Sequence, residues 1–166
     1  MSVTDVVKDP QRLTMTLTAQ YDVSAERAWR LWDDPRQLER WWGPPTYPAT
    51  VVEHDLTPGG SVTYYMTGPG GDQPRGWWRV LEAEPPRRLV IEDGFGASAD
   101  AAVPGMPTMV MRLEIADRDG GGVTMTIETT FPSPEAMEQI IGMGVEEGLS
   151  LAVGQIEAIL ASEHVD

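Results

Sequence analysis

Two side chains in this sequence could move a proton in a sheltered site, His54 and Glu146. His54 ends a short apolar run, Val51-Val52-Glu53-His54, that reads as a strand. Histidine titrates near neutral pH and serves as a proton shuttle, but a lone histidine on a strand also serves as a surface or structural residue. His164, the other histidine, falls in the C-terminal tail. Glu146 stands beside Glu147 in a helical segment, where neighbours point about 100° apart, so one of them at most faces fully inward. In an apolar cavity the Glu146 carboxyl would hold its proton more tightly and could work as an acid or base. On a solvated face it would do neither. No HExxH, GxSxG, phosphate-binding loop or carboxylate–histidine metal spacing accompanies them. The glycine runs 68–71 and 120–122 lack the lysine and the strand–helix context of a phosphate cradle and read as turns. No metal and no cofactor is expected from these residues.

The aromatic and sulfur side chains offer a different chemistry, the holding of an apolar molecule. Four of the six tryptophans fall between Trp29 and Trp42, and the cluster ends in Trp41-Trp42-Gly43-Pro44-Pro45. Proline stops a helix and restricts the residue before it, so the chain must turn sharply there. An aromatic plug in that place either closes a core or walls a cavity. Tyr64, Trp41, Trp42 and one of Trp77 and Trp78 could donate orienting hydrogen bonds in such a cavity. Strand register decides between Trp77 and Trp78, and the expectation adopted is Trp78. Met66, Met109, Met111 and Met125 sit on alternating strand positions, and methionine adapts to varied apolar partners or fills gaps in a core. With Ile141 and Val145 from the final helix, these residues form the expected ligand-binding set.

The elements that must position them follow from periodicity. Leu13, Met15, Leu17, Ala19 and Tyr21 share one face of a first strand, with threonines on the other. Ser24 is placed to cap a helix that stops near Asp33-Asp34-Pro35, and a second short helix runs from about Pro35 to Arg40. Strands are expected over 51–54, 61–66, 76–83, 88–92, 109–115 and 123–131, separated by Gly- and Pro-rich turns. The 94–107 stretch, rich in Gly, Ala and Pro, reads as a loop. Ser133, Pro134 and Glu135 then open a helix that the apolar spacing carries to about Ala161. Gly142, Gly144, Gly148 and Gly154 lie inside it, each costing about 1 kcal/mol against alanine. They either allow close helix–sheet approach or leave room between helix and sheet.

The predicted architecture is α+β, a curved antiparallel sheet of about seven strands around one long C-terminal helix, with two short helices after the first strand. Residues 1–10 are expected to be a flexible N-terminus, 11–161 one domain and 162–166 a tail.

Composition sets the outer limits. The chain has 166 residues, enough for one domain with a real core. Its formal charge of −14 argues against nucleic acid and anionic membranes, which require clustered cations. No apolar run approaches membrane-spanning length, so no insertion is expected. The absence of cysteine excludes disulfides, thiol nucleophiles and cysteine-ligated metals. The first residues, MSVTDVVKDPQRL, have neither the basic nor the apolar part of a signal peptide, and a cytoplasmic location is expected.

Several segments in this order resemble the START/Bet v 1-like (SRPBCC) superfamily and, within it, the AHSA1-like group, named for the activator of Hsp90 ATPase. They are Tyr21-Asp22-Val23-Ser24-Ala25-Glu26-Arg27-Ala28-Trp29, Leu38 to Pro44, Asp55-Leu56-Thr57-Pro58-Gly59-Gly60, Pro85 to Leu89 and Gly142 to Gly148. The resemblance implies a helix-grip fold with a deep cavity between sheet and C-terminal helix. It also implies a hydrophobic ligand such as a lipid, sterol or polyketide. Some members are cyclases or hydrolases, and one related type sequesters an enediyne antibiotic. Members often carry tryptophan just after the glycine matching Gly148, and here that residue is Leu149, which favours a larger cavity.

Three functions therefore compete. The first is binding of a small hydrophobic or aromatic molecule without chemistry. The second is a cyclase- or hydrolase-type enzyme on such a ligand, using Glu146 or His54. The third and least favoured is stimulation of the Hsp90 ATPase, since the eukaryotic co-chaperone uses a further N-terminal domain for which this chain has no room. Self-association into a homodimer is compatible with all three.

Overall fold

The protein is described by a computed structural model covering residues 3–163. Eight strands form one antiparallel curved sheet in the order β1-β2-β8-β7-β6-β5-β4-β3. They are β1 (Val3–Asp9), β2 (Thr14–Tyr21), β3 (Ala49–His54), β4 (Ser61–Met66), β5 (Arg75–Glu84), β6 (Arg88–Phe95), β7 (Met109–Asp117) and β8 (Val123–Thr130). Bulges in the β1–β2, β3–β4 and β5–β6 pairings increase local twist. Two helices, α1 (Ala25–Asp33) and α2 (Pro35–Trp41), connect β2 to β3.

One strand more is present than the sequence suggests. Residues 3–9, expected to be flexible, pair with β2 as an edge strand. Its alternation is weak because an edge strand has little to bury. Leu13, expected inside β2, instead takes a positive φ of 57° in the turn before it.

The interior faces of the strands follow the period of two. Met15, Leu17, Ala19 and Tyr21 on β2 face inward, as do Met109, Met111, Leu113 and Ile115 on β7. Both expected serine caps form. Ser24 Oγ accepts from the Arg27 N–H at 3.1 Å, and Ser133 Oγ accepts from the Ala136 N–H at 3.0 Å. Each satisfies a donor that the helix leaves open.

The long C-terminal helix is three helices: α3 (Pro134–Gly142), α4 (Val145–Val153) and α5 (Ile156–Glu163). The physical cause of the first break is Gly144, whose φ of 90° lies in the left-handed region. The second break follows Gly154. There Gln155 Nε2 donates to the carbonyls of Gly43 at 2.7 Å and Trp41 at 3.3 Å, tying the helical layer to the tryptophan turn. Residues 162 and 163, expected in the tail, belong to α5, and His164 lies outside the described residues.

Two buried clusters fill the space between the layers. One joins the tryptophans and β-sheet interior to Val153, Ile156, Ile159 and Leu160, and the other joins Met15, Met109, Phe131, Met137 and Ile140. Where they meet, the packing is incomplete.

Candidate functional site

That gap is a cavity of about 360 Å³. Its sheet wall comes from Met15 on β2, Tyr64 and Met66 on β4, Asp93 and Phe95 on β6, Met109 and Met111 on β7, and Thr129 on β8. Its helical wall comes from Ile140, Met143, Gly144, Val145, Gly148 and Leu149. Trp42, Pro44, Tyr47 and Pro74 complete it from the connecting segments. The Tyr47 hydroxyl donates to Asp72 Oδ2 at 2.9 Å, which links two of these segments.

Two glycines of the helical layer, Gly144 and Gly148, lie in the cavity wall. At Gly148 an added Cβ would meet nothing within 4 Å, so this glycine leaves room instead of permitting close approach. Gly148→Ala is therefore expected to stabilise the protein by about 1 kcal/mol through helix propensity. Gly144→Ala, at a positive φ, is expected to destabilise it by a similar amount or more. Thermal melts of the pair check both signs.

The sequence-expected residues divide. Trp42, Tyr64, Met66, Met109, Met111 and Val145 line the cavity. Trp41, Trp78, Met125 and Ile141 do not. Trp41 is fully buried, and its Nε1 donates to the Leu31 carbonyl at 2.9 Å, so it belongs to the core plug. Met125 is likewise fully buried in the core, and Ile141 packs against the second cluster. Of the two tryptophans on β5, Trp78 faces inward, but it stands behind the wall. Its ring meets Trp42 edge-on at 4.9 Å and contacts Tyr64 at 6.4 Å. Trp77 covers the opposite face of the sheet, where its ring occupies the space a Cβ at Gly94 would need. The tryptophan cluster is thus both plug and wall, with the boundary between Trp41 and Trp42.

Neither acid–base candidate reaches the cavity. His54 Nε2 lies 2.9 Å from the Trp32 carbonyl and donates to it, fastening the end of β3 to α1. Glu146 turns outward and pairs with Lys8 of β1 at 2.7 Å, raising the lysine pKa. A solvated glutamate follows from the α4 register, which spends its inward positions on Val145, Gly148 and Leu149.

The titratable carboxyl in the cavity wall is Asp93, which the sequence reading missed. The β6 period of two runs through Leu89, Ile91 and Asp93, and that is the signal that could have found it. The sequence expectation, however, ends this strand at residue 92 and begins a loop at 94, which leaves Asp93 off the strand. In the sheet Asp93 pairs with Trp78 on one side and Met109 on the other. Removal from solvent pushes its pKa up to about 7. Among the described residues none gives its side chain a hydrogen bond or an ion pair. Its neighbour Glu92 faces outward and pairs with Arg79. Burial, and then the Asp93 charge, hold the Tyr64 hydroxyl protonated far into the alkaline range. The Trp42 and Trp78 indole N–H groups approach that hydroxyl and oppose the shift, but neither completes a hydrogen bond. Among the described residues no group of three His, Cys, Asp or Glu side chains is arranged to hold a metal, and no helix is long and apolar enough to cross a membrane.

A curved antiparallel sheet closed by C-terminal helices over a mostly apolar cavity defines a helix-grip domain of the ligand-binding type. The chain belongs to the family described as activator of Hsp90 ATPase homolog 1-like protein, whose model matches residues 22–161. The crystal structure of protein Ms6760 from Mycobacterium smegmatis is similar at 43% identity and a TM-score of 0.87, covering 98% of this chain and 99% of that one. A solution structure of a protein from Arthrobacter aurescens is 41% identical with a TM-score of 0.90, covering 97% of this chain and 93% of that one. The AHSA1 protein of Silicibacter pomeroyi shares the fold at 19% identity and a TM-score of 0.73, covering 91% of this chain and 99% of that one. No curated protein matches the chain.

Proposed function

We propose that the protein binds a small hydrophobic or aromatic molecule in the cavity between its sheet and its C-terminal helices. The observation that carries this reading is the gap of about 360 Å³ walled by methionines, Trp42, Tyr64 and Phe95. That volume lies at the low end of small-molecule sites, about 300–1,000 Å³, and suits a molecule of one or two rings. Each buried methylene of the ligand contributes about 0.8 kcal/mol, and the methionine side chains can adjust to its outline.

Trp42 borders the cavity and Trp78 touches Trp42, so tryptophan emission reports occupancy. A panel of apolar and aromatic compounds is expected to shift it saturably, and a flat response across the panel would defeat the proposal. Leu149→Trp places a large ring into the same space. It is expected to weaken binding at least tenfold while leaving the fold intact, as read by titration and circular dichroism.

An enzyme acting on such a ligand is the second reading, favoured by one observation, the carboxyl of Asp93 in the cavity wall. Under it Asp93 replaces His54 and Glu146 as the proton-transferring group. Turnover would then vanish in Asp93→Asn and persist in Glu146→Gln.

A further inference from the structure

Resting on the apolar-ligand reading above, we infer that Asp93 selects the ligand's charge: the cavity takes a hydrophobic amine, its protonated nitrogen against the Asp93 carboxylate and its apolar body among the methionines. Asp93 lines the cavity and has no hydrogen-bond or ion-pair partner among the described residues. Several carboxylates nearer the solvent have a cation beside them. Glu92 has Arg79, Asp117 has Arg87 and Glu146 has Lys8. A half-buried carboxylate in an apolar wall is costly without a counter-charge, and a partner that supplies the charge removes that cost. No lysine or arginine lines the cavity to supply it, so the missing charge is left for the ligand.

The surroundings suit a cation and not an anion. Trp42, Tyr64 and Phe95 line the same space, and the negative faces of aromatic rings attract ammonium groups. The formal charge of −14 draws cations toward the protein and repels anions. A carboxylate ligand would meet Asp93 with like charge. A neutral alcohol would gain the apolar contacts and one hydrogen bond but no charge pairing.

The groups facing Asp93 leave its titration readable. Tyr64 faces it from β4, Trp78 from β5 and Met109 from β7. The α3 and α4 residues in the cavity wall carry no titratable side chain, β2 and β8 contribute Met15 and Thr129, and Tyr47 comes from the loop after α2. Both tyrosines have their pKa raised above the usual phenol value, so they stay protonated between pH 5 and pH 8.

The test uses the full chain and three probes of one shape, 2-naphthylmethylamine, 2-naphthylmethanol and 2-naphthoate, titrated by calorimetry at pH 5 and pH 8. At pH 8 the amine is expected to bind at least tenfold more tightly than the alcohol, and the carboxylate most weakly. The amine-to-alcohol ratio is expected to fall severalfold at pH 5 and to approach one at both pH values in Asp93→Asn. Equal binding of amine and alcohol to the wild-type protein at pH 8 overturns the inference while leaving the apolar-ligand reading standing. A preference that survives Asp93→Asn also overturns it. Failure of all three probes to bind overturns both. Should the variant not fold, the pH dependence of the ratio in the wild-type protein decides alone, and a ratio unchanged from pH 5 to pH 8 refutes the role of Asp93.

Discussion

Replacing Asp93 by asparagine is expected to stabilise the ligand-free protein at pH 8 by on the order of 2–4 kcal/mol, and by almost nothing at pH 4. The sign follows from linkage. Burial raises the Asp93 pKa to about 7, whereas in the unfolded chain an aspartate titrates near its usual value of about 4. Below pH 4 both states hold the proton, and the aspartic acid costs no more than the amide that replaces it. Between pH 4 and pH 7 the unfolded chain has released the proton that the native protein retains, so native stability falls as pH rises. Above about pH 7 both states are ionised, and the full cost of a charge in the apolar wall is present. Asparagine never ionises and so escapes that fall. Urea melts of the two proteins at pH 4, 6 and 8 measure the difference directly. Other carboxylates, such as Asp117 held low by Arg87, titrate alike in both proteins and cancel. A stability difference that stays constant across the three pH values would mean that Asp93 is not buried as a carboxylate. A saturating hydrophobic amine should narrow the difference at pH 8, because it supplies the missing counter-charge.

The second large effect separates two adjacent tryptophans. Trp41→Ala is expected to cost about 3–5 kcal/mol, the usual cost of removing a large core ring. It also leaves the Leu31 carbonyl without its 2.9 Å donor. For a domain of this size each kcal/mol lowers Tm by roughly 2–4 °C, so a fall of roughly 6–20 °C follows. Affinity per folded molecule should change little, since Trp41 does not border the cavity. Trp42→Leu should behave in the opposite way. Its ring packs edge-on against Trp41, Tyr64 and Trp78 and also forms part of the cavity wall. Replacing it keeps some packing volume and loses the aromatic face, so affinity for an aromatic probe is expected to drop tenfold or more. Parallel melts and titrations of the two variants provide the check. If Trp41→Ala loses affinity at constant stability, the boundary between plug and wall has been drawn in the wrong place.

These two cases show where sequence reading reaches its limit. Runs such as Met109 to Ile115 and Val123 to Thr129 alternate so regularly that their inward faces follow from the period of two. Ser24 and Ser133 announced their helices because a cap is a local arrangement of four residues. The segments shared with helix-grip proteins were equally local. Failures came where the decision was not local. Residues 3–9 look polar because an edge strand needs only one neighbour, and nothing within the segment says that β2 will provide it. The breaks at Gly144 and Gly154 interrupt a spacing that would suit one continuous helix. At Gly144 glycine permits a left-handed turn without requiring it, and closure over the sheet decides.

The tryptophans and the cavity acid divide in the same way. From sequence alone, the chain had to build an antiparallel sheet with a helical cover, an aromatic turn ending in Gly43-Pro44-Pro45, and a helical layer thinned by glycine. Those features depend on side-chain period, capping and backbone freedom, all of which act between near neighbours. Only the tertiary structure decided that Trp41 completes the core while Trp42 faces the gap, that Gly148 leaves space unfilled, and that Glu146 turns to Lys8. It also placed Asp93, which falls between the strand and the loop expected from sequence, on an inward strand position between Trp78 and Met109. Whether a side chain meets solvent, protein or an empty volume depends on what distant segments bring to it, and that is settled only when the sheet and helices close.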